Sequence, residues 1–271
     1  MGTARERLVS STAVEAVVPF WQPIEDGAIA YFSGRISAPR LEFRALRIDL
    51  RSPDITIVVR GGHSDTLSTK VSSFVRENAL AAGINALPFD PVSGKEGEPR
   101  TNIGIVVSDG IMISPPQAGY SALVFYNDGG ASVVSQAEIA STDDIANAAG
   151  GFHQILEAGE LTERAFDTKA RHPRSAAGIS ADGRYLYLLV VDGRRIGSIG
   201  STEAETALML RALGSHDGIN FDGGGSSSLV MRYPNGRIRP VNTPIHDGIP
   251  GRERAVAGCL GIRIIGGVQK E

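Results

Sequence analysis

The sequence lacks a second cysteine. Cys259 is the only one among 271 residues, so the chain can form neither an internal disulfide nor a cysteine-rich metal site. It stands in the apolar stretch Ala257-Gly258-Cys259-Leu260. We therefore expect a buried, inert thiol there rather than a nucleophile.

Long apolar runs are also missing. The longest clean run, Leu186–Val191, is far shorter than the roughly 20 residues of a membrane-spanning helix. We therefore expect no transmembrane segment. No leader peptide is visible either, because charged residues interrupt the N-terminal segment; these are Arg5, Glu6, Arg7 and Glu15.

Neither sign of charge dominates. Lys and Arg number 27 against 30 Asp and Glu, for a net charge of −3. Binding to a phosphate backbone needs a basic surface, so we expect no nucleic-acid partner. A hydrophobic fraction of 42% with 21% charged residues is typical of a globular chain rather than a disordered one.

Glycine and proline are abundant, at 33 and 14 residues. This richness favours many short strands and tight turns over a helical bundle. We predict an α+β fold, with one domain dominated by mixed or antiparallel β-sheet and a few packed helices. Residues 1–30 are predicted to be an N-terminal extension or edge strand, and residues 31–271 the domain itself.

Several elements carry local signals. Thr202 to Glu205 match a capping box and predict a helix that runs to Leu213 and ends at Gly214. A second helix is predicted from Thr66 or Ser68 to about Ala82, with Gly83 as its stop. Strands are predicted over 184–191, 218–222 and 226–233, the first of them preceded by an Asp-Gly turn at 182–183.

The densest cluster of candidate residues is a strand that ends in Asp222 and continues into Gly223, Gly224, Gly225, Ser226 and Ser227. Consecutive glycine N–H groups can form a concave nest for an anion such as phosphate. The spacing matches neither a P-loop nor a dinucleotide fingerprint, and it is not the nucleophile elbow of an esterase. The alternative interpretation is a glycine-rich hairpin, which the adjacent carboxylate makes less favourable.

Arginines and a further carboxylate precede or follow other strands. His172 and Arg174 stand just before one strand, and Arg254 leads into the last; guanidinium groups suit bidentate phosphate contacts. Asp192 ends the apolar run. A carboxylate at this position can line a cleft, or it can simply belong to an Asp-Gly turn. Asn85 lies where a strand meets a loop, and could bond a sugar hydroxyl or organise the turn. For the arginine clusters, the alternative is a solvated charged loop.

Metal ligands are not evident. The five histidines, none of them paired at the spacing of a zinc-binding helix, are His63, His153, His172, His216 and His246. We expect no metal and no cofactor.

Taken together, five segments resemble the phosphodiester glycosidase family. They are His172–Gly178, Val191–Arg194, the helix start at Thr202-Glu203, Asn220–Ser227 and Arg252–Val256. The resemblance is strongest over residues 171–265 and extends more weakly to Asn85. Members often show Asn-Gly-Gly-Phe-Phe where this chain reads Asn85-Ala86-Leu87-Pro88-Phe89, which implies a differently shaped sugar subsite.

The resemblance implies hydrolysis of a glycosyl 1-phosphodiester. The substrate would carry an N-acetylglucosaminyl group or be a polysaccharide. An oxocarbenium-like centre requires a nearby carboxylate, and Asp222 and Asp192 are the candidates, one as base or nucleophile and the other as acid or hydroxyl ligand. Glu203 is a third candidate, or else only a capping residue. Arg174, Arg254 and the nest at Gly223–Gly225 would hold the phosphate. The resemblance also implies work outside the cytoplasm.

Two other functions remain open from the sequence. One is a non-catalytic domain of the cell envelope that binds a glycan or phosphoglycan. The other is a structural domain whose glycines only make turns. If the protein is an enzyme, the carboxylates and arginines should converge on one cleft. If it only binds a glycan, the arginines should lie together without a carboxylate near the bound sugar. If the domain is structural, these segments should lie far apart on the surface.

Overall fold

The computed structural model describes residues 13–24, 27–60 and 67–265. Its strands, in chain order, are β1 (Gln22–Ile24), β2 (Ile29–Ser37), β3 (Arg40–Asp49), β4 (Ile55–Arg60), β5 (Ala82–Asn85), β6 (Phe89–Asp90), β7 (Thr101–Asn102), β8 (Val106–Ser108), β9 (Ile111–Ser114), β10 (Ser121–Tyr126), β11 (Ala131–Ser135), β12 (Ile145–Gly151), β13 (His153–Glu157), β14 (Glu160–Leu161), β15 (Arg174–Ile179), β16 (Tyr185–Val191), β17 (Asp217–Asn220), β18 (Leu229–Arg232), β19 (Ile238–Pro240), β20 (Ile245–His246), β21 (Ile249–Pro250) and β22 (Cys259–Ile264). Helices α1 (Val71–Glu77) and α2 (Glu203–Leu213) lie outside the sheets.

Three larger sheets organise the chain. An eight-stranded sheet has the order β1-β2-β3-β16-β15-β17-β13-β14, and two five-stranded sheets have the orders β11-β10-β12-β8-β9 and β19-β18-β5-β22-β4. The strands of these sheets pair antiparallel. The predicted α+β single domain is confirmed, with antiparallel rather than mixed sheets.

One apolar core lies between the three sheets. Leu188 of the eight-stranded sheet, Leu123 of the second and Ile262 of the third all belong to it and are fully buried. Each sheet therefore turns one face inward, and alternate side chains along each strand point to this shared interior. Burial of these large apolar side chains is the main stabilising contribution to the domain.

The helices cover the outer faces of two sheets. Helix α2 begins with the predicted capping box, in which Thr202 accepts from the Glu205 N–H and Glu205 accepts from the Thr202 N–H. It ends at Gly214, as predicted. Ala207 and Leu210 pack it against the eight-stranded sheet. Helix α1 packs against the five-stranded sheet that contains Cys259; this thiol is buried as expected, and burial raises its pKa.

Two predicted boundaries were wrong. Helix α1 starts after Lys70 without a side-chain cap and ends at Glu77, because Ala79 takes a positive φ of 51°; Thr66 lies outside the described residues. Gly83 is not the helix stop but part of β5, where a Cβ would come within 2.9 Å of the Val75 side chain. Its missing side chain therefore lets the helix pack closely.

The strand predicted over 226–233 starts only at Leu229. Residues Gly224–Ser226 form a short 3-10 turn instead. These residues therefore take no part in the strand pairing of β18. Strand β1 is the edge strand of the eight-stranded sheet; the boundary at residue 30 stays a prediction. Among the described residues, no helix is both long and apolar enough to cross a membrane.

The strand ends that carry the candidate residues lie at one end of the sheets. Arg174, which starts β15, pairs with Val191, which ends β16. Asn220, which ends β17, pairs with Ala176. In the neighbouring sheet, Asn85 at the end of β5 pairs with Cys259. The antiparallel register thus gathers segments that are far apart in sequence.

Candidate functional site

Asn85 ties the ends of the two sheets together. Its Nδ2 donates to the Asp222 carbonyl oxygen at 2.6 Å, and its Oδ1 accepts from Ser175 Oγ at 2.7 Å and from the Ser228 N–H at 3.1 Å. The side chain has no exposed surface. Asn85 therefore lies beneath Asp222, and in this structure its amide fixes that residue rather than facing solvent.

The glycine turn after Asp222 makes room for two arginines. Gly224 has a φ of +63°, which favours glycine, and a Cβ there would lie 3.1 Å from Arg194 Nη2. A Cβ on Gly225 would overlap the guanidinium of Arg254. Each arginine thus lies directly over backbone that carries no side chain.

The glycine N–H groups are largely occupied by protein acceptors. The Gly223 N–H bonds to the Asp222 carboxylate, and the Gly224 N–H donates to the Pro173 carbonyl oxygen at 2.8 Å. Of the three, Gly225 alone has an N–H without such an acceptor in the described part of the chain. The turn therefore differs from the expected nest of three free donors, and its main contribution is space for the guanidinium groups.

A chain of hydrogen bonds runs from Asp222 into the protein. Ser226 bonds to the Asp222 carboxylate, and its Oγ accepts from Arg254 Nη1 at 3.3 Å. Arg254 Nε donates to His246 Nδ1, also at 3.3 Å. A hydroxyl can donate once and accept at the same time, so Ser226 links the carboxylate to the arginine.

Asp222 is the carboxylate with the clearest electrostatic perturbation. The residue keeps some exposed surface, yet protein atoms surround its carboxyl group closely, and this desolvation raises the pKa of Asp222 to about 6. The Ser226 hydroxyl, the charge of Arg254 and the Gly223 N–H oppose the rise without cancelling it. Near pH 6 the group therefore exchanges a proton readily, as a catalytic carboxylate must.

Positive charge is in excess around this carboxylate. Arg194 is exposed and has neither an ion pair nor a side-chain hydrogen bond within the described residues. Its charge acts on both Arg254 and His172 and lowers the pKa of each, although desolvation is the larger cause in both cases. Cations that repel one another across an open surface would be stabilised by a bound anion.

Arg174 and Glu203 form a buried ion pair beside the turn. Arg174 Nη1 lies 3.1 Å from Glu203 Oε1, and each side chain is 8% exposed. Nε of Arg174 also donates to the Ser201 carbonyl oxygen at 3.3 Å. Its guanidinium is thus committed to protein partners, whereas Glu203 Oε2 is buried without a hydrogen-bond partner within the described chain.

Asp192 is buried and fully bonded. Its Oδ2 lies 2.8 Å from Arg195 Nη2, and its Oδ1 accepts from the Thr243 N–H at 2.9 Å and from Asn242 Nδ2 at 3.3 Å. Burial raises its pKa in spite of these donors. In this structure Asp192 fixes the loop around residue 242, which in turn reaches the Ser227 carbonyl oxygen through Asn242.

The structure thus places Asp222, Ser226 and Arg254 in one chain of hydrogen bonds. His172 lies nearby and is partly exposed, and the charge of Arg194 contributes to lowering its pKa. Ser227 is buried, and its hydroxyl has no hydrogen-bond partner within the described residues. The sequence analysis missed two residues of this group, His246 and Arg194, although Arg194 lies in one of the five segments that carry the family resemblance. An isolated histidine such as His246 has no neighbouring sequence pattern that indicates a functional role. For Arg194, the only such indication is its position directly after Asp192-Gly193.

No group of three or more His, Cys, Asp or Glu side chains in the described part of the chain could hold a metal ion. The expectation that the protein needs no metal stays a prediction.

Comparison with known proteins identifies the family. Residues 78–263, more than two thirds of the chain, match the family described as phosphodiester glycosidase. The chain belongs to the phosphodiester glycosidase family. The resemblance seen in the sequence is therefore confirmed.

Solved structures share the fold of this phosphodiester glycosidase family member. The catalytic domain of zebrafish N-acetylglucosamine-1-phosphodiester alpha-N-acetylglucosaminidase, auto-inhibited by its pro-peptide, superposes with a TM-score of 0.67 at 20% identity, over 91% of this chain and 88% of that one. A hypothetical protein from Synechocystis gives a TM-score of 0.69 at 16% identity, over 92% and 64%. At these identities the likeness shows the fold alone.

A curated relative is also similar in sequence. The SPbeta prophage-derived uncharacterized protein YomE of Bacillus subtilis (strain 168) is 30% identical over 174 residues, which cover 59% of this chain and 25% of the relative. The match thus spans a quarter of that protein's length.

Asn85→Ala should destabilise the fold by about 2–4 kcal/mol, because it leaves buried polar groups of Ser175, Asp222 and Ser228 without their partner. Urea unfolding at pH 7 measures the change. The matched control is Asn127→Ala in an exposed turn, which should cost less than about 1 kcal/mol. Equal costs for the two variants would show that Asn85 does not join the sheets.

Asp222→Asn should make the folded state more stable at pH 7 by about 1–3 kcal/mol. The folded pKa of Asp222 is about 6, above the ordinary 3.8, so the folded state binds more protons between these values and loses stability as pH rises through them. The difference should nearly vanish at pH 3, where the carboxyl group is mostly protonated in both states. Urea unfolding of both proteins at pH 3 and pH 7 checks it, with exposed Asp54→Asn as control. A gain that persists in full at pH 3 would contradict the assignment.

Proposed function

We propose that the protein hydrolyses a glycosyl 1-phosphodiester, releasing the sugar and leaving a phosphomonoester on the other product. The observation that carries the proposal is the Asp222 carboxylate, whose pKa lies near 6 in the same hydrogen-bond chain as Arg254. Membership of the phosphodiester glycosidase family supports the reaction class.

Asp222 acts in its ionised form in this proposal. As a base it takes a proton from water while the water oxygen bonds to the anomeric carbon; as a nucleophile it bonds to that carbon itself, and water later displaces it. In both cases the bond between the anomeric carbon and the phosphate oxygen breaks, and its electron pair stays with the phosphate. The phosphate is a good leaving group, so stabilising its added charge matters more than protonating it.

Arg254 and Arg194 supply that stabilisation. Both lie over the glycine turn, and Arg194 has no carboxylate partner within the described residues. Arg174, which the sequence suggested for this role, is 7% exposed and paired with Glu203. We therefore assign the phosphate to Arg254 and Arg194, and treat Arg174 as the residue that holds Glu203 in place.

For the second carboxylate, the contacts favour Glu203 over Asp192. Glu203 Oε2 is without a partner in the described chain, so it could accept a sugar hydroxyl or an ordered water after a small movement. Both oxygens of Asp192 already accept hydrogen bonds. Asp192 then contributes by fixing the loop at residues 242–243.

The sugar is less defined than the phosphate. An N-acetylglucosaminyl group is supported by the name of the zebrafish enzyme with the same fold, and a polysaccharide remains a second substrate class. Ala86 and Leu87, where the chain departs from the family pattern, are buried. They can affect the sugar subsite only through their neighbours, such as Asp222, whose N–H donates to the Ala86 carbonyl oxygen. Work outside the cytoplasm stays a proposal.

A non-catalytic domain that binds glycans or phosphoglycans is the alternative. It would keep the arginines and dispense with a carboxylate of raised pKa beside them. The partly exposed Asp222 next to Arg254 favours the enzyme, because a site that only bound an anion would be weakened by a neighbouring negative charge.

Asp222→Asn should lower kcat by at least about 100-fold, because the amide can neither accept the proton nor attack the anomeric carbon. UDP-N-acetylglucosamine and a panel of sugar 1-phosphodiesters are the substrates, and release of free sugar is measured. In the wild type, kcat/KM should fall as pH drops below about 6, where Asp222 gains its proton.

The matched control is Asp54→Asn, which changes an exposed carboxylate just before β4 and should leave kcat unchanged. Wild-type turnover in Asp222→Asn would remove this carboxylate from the mechanism. Binding of the substrates without turnover by the wild type would support the non-catalytic alternative.

Arg194→Ala should raise KM for these phosphodiesters and weaken competitive inhibition by inorganic phosphate, each by about tenfold or more, because an unpaired cation over Gly224 is lost. Arg237→Ala, on an exposed turn away from the site, serves as the control for a lost surface charge. Unchanged phosphate inhibition in Arg194→Ala would exclude this arginine from the anion site.

A further inference from the structure

His246 is buried at the inner end of the hydrogen-bond chain. It is 4% exposed and lies on the short strand β20, which packs against the turn Gly224–Ser226. Backbone contacts fix its position, since its N–H donates to the Arg252 carbonyl oxygen at 3.1 Å. The chain therefore places an imidazole directly behind the arginine that faces Asp222.

The contact with Arg254 determines the tautomer of His246. Arg254 Nε carries a hydrogen and always donates, so His246 Nδ1 accepts and the ring hydrogen lies on Nε2. Nε2 is 3.3 Å from Asp247 Oδ2, and Gly94 approaches it so closely that a Cβ there would overlap it. The ring is thus enclosed between Arg254 and the loop that contains Gly94.

We propose that His246 is a positioning residue for the anion site: its neutral imidazole accepts from Arg254 Nε and holds the guanidinium against Ser226 and over Gly225. This inference rests on the proposed function in assigning phosphate to Arg254. The planar guanidinium is then held at two of its nitrogens, Nε by His246 and Nη1 by Ser226. Without the acceptor, the long side chain regains rotamers that leave the site.

Neutral His246 is required for this contact. The charged groups around it are Arg254, Arg252 and Asp247, and Lys95 follows Gly94 in the covering loop. Burial and the two arginines hold the pKa of His246 below its usual range, against the opposing effect of Asp247. Protonation would place two cations face to face, so the acceptor is available at neutral pH.

The test uses inorganic phosphate as the probe and measures binding without turnover, by calorimetry at pH 7.5. His246→Leu should weaken phosphate binding about tenfold. His246→Asn, whose Oδ1 can take the place of Nδ1 as acceptor, should stay within about threefold of the wild type. His216→Leu, at the opposite end of β17 beside Asp217, is the matched control and should bind as the wild type does.

A second readout follows the Asp222 carboxyl group by NMR titration. The charge of Arg254 lowers the pKa of Asp222, so a loosened guanidinium in His246→Leu should move the midpoint above about 6, and His246→Asn should restore it. A merely structural role for His246 would lower the unfolding midpoint without moving this titration.

The inference is overturned if His246→Leu keeps wild-type phosphate affinity and the wild-type Asp222 midpoint, or if Leu and Asn variants lose affinity equally. Absence of phosphate binding in the wild type would overturn it as well. A wild-type protein that binds phosphate in this pattern, yet hydrolyses no phosphodiester, would contradict the proposed function and still support the role of His246.

Discussion

The position of the whole site depends on one buried amide. Asn85 ends a strand of one sheet, and its side chain reaches Ser175 in another sheet and the backbone of Asp222 and Ser228 on either side of the glycine turn. A buried amide is stable only with its polar atoms bonded. The two sheets can therefore meet in one relative position, and Asp222 is fixed where β17 leaves the sheet.

Above that junction, electrostatics rather than shape distinguishes the site. The guanidinium groups of Arg194 and Arg254 lie over glycine backbone. Within the described residues neither forms an ion pair, although the charge of Asp222 acts on Arg254. Arg195 shows the contrast: it contacts both Glu42 and Asp192, one residue along from the unpaired Arg194. A chain that neutralises one arginine and leaves its neighbour free has the arrangement expected of a site for an external anion.

Local signals predicted the elements, and partners distant in sequence decided the roles. The capping box at Thr202 and the apolar run of β16 determine helix and strand within about ten residues, so sequence was sufficient. Arg174 is not free to bind an anion because it pairs with Glu203. Asp192 has a structural role because it bonds to the loop at Thr243, 51 residues away. Such contacts have no local pattern, because they arise only when the sheets assemble. For the same reason the glycine motif indicated an anion site, while the number of its free N–H groups could not be read from it.

The direction of the Asp222 perturbation separates it from the structural carboxylates. Asp49 pairs with Arg184, and that hydrogen bond lowers its pKa, so its charge stabilises the fold. Asp192 is fully buried with its oxygens bonded, which makes its raised pKa a consequence of burial alone. Asp222 keeps surface exposed, has Arg254 beside it, and still holds a pKa of about 6, which costs stability at neutral pH. Packing gains nothing from that arrangement, whereas a reaction that moves a proton near neutrality does.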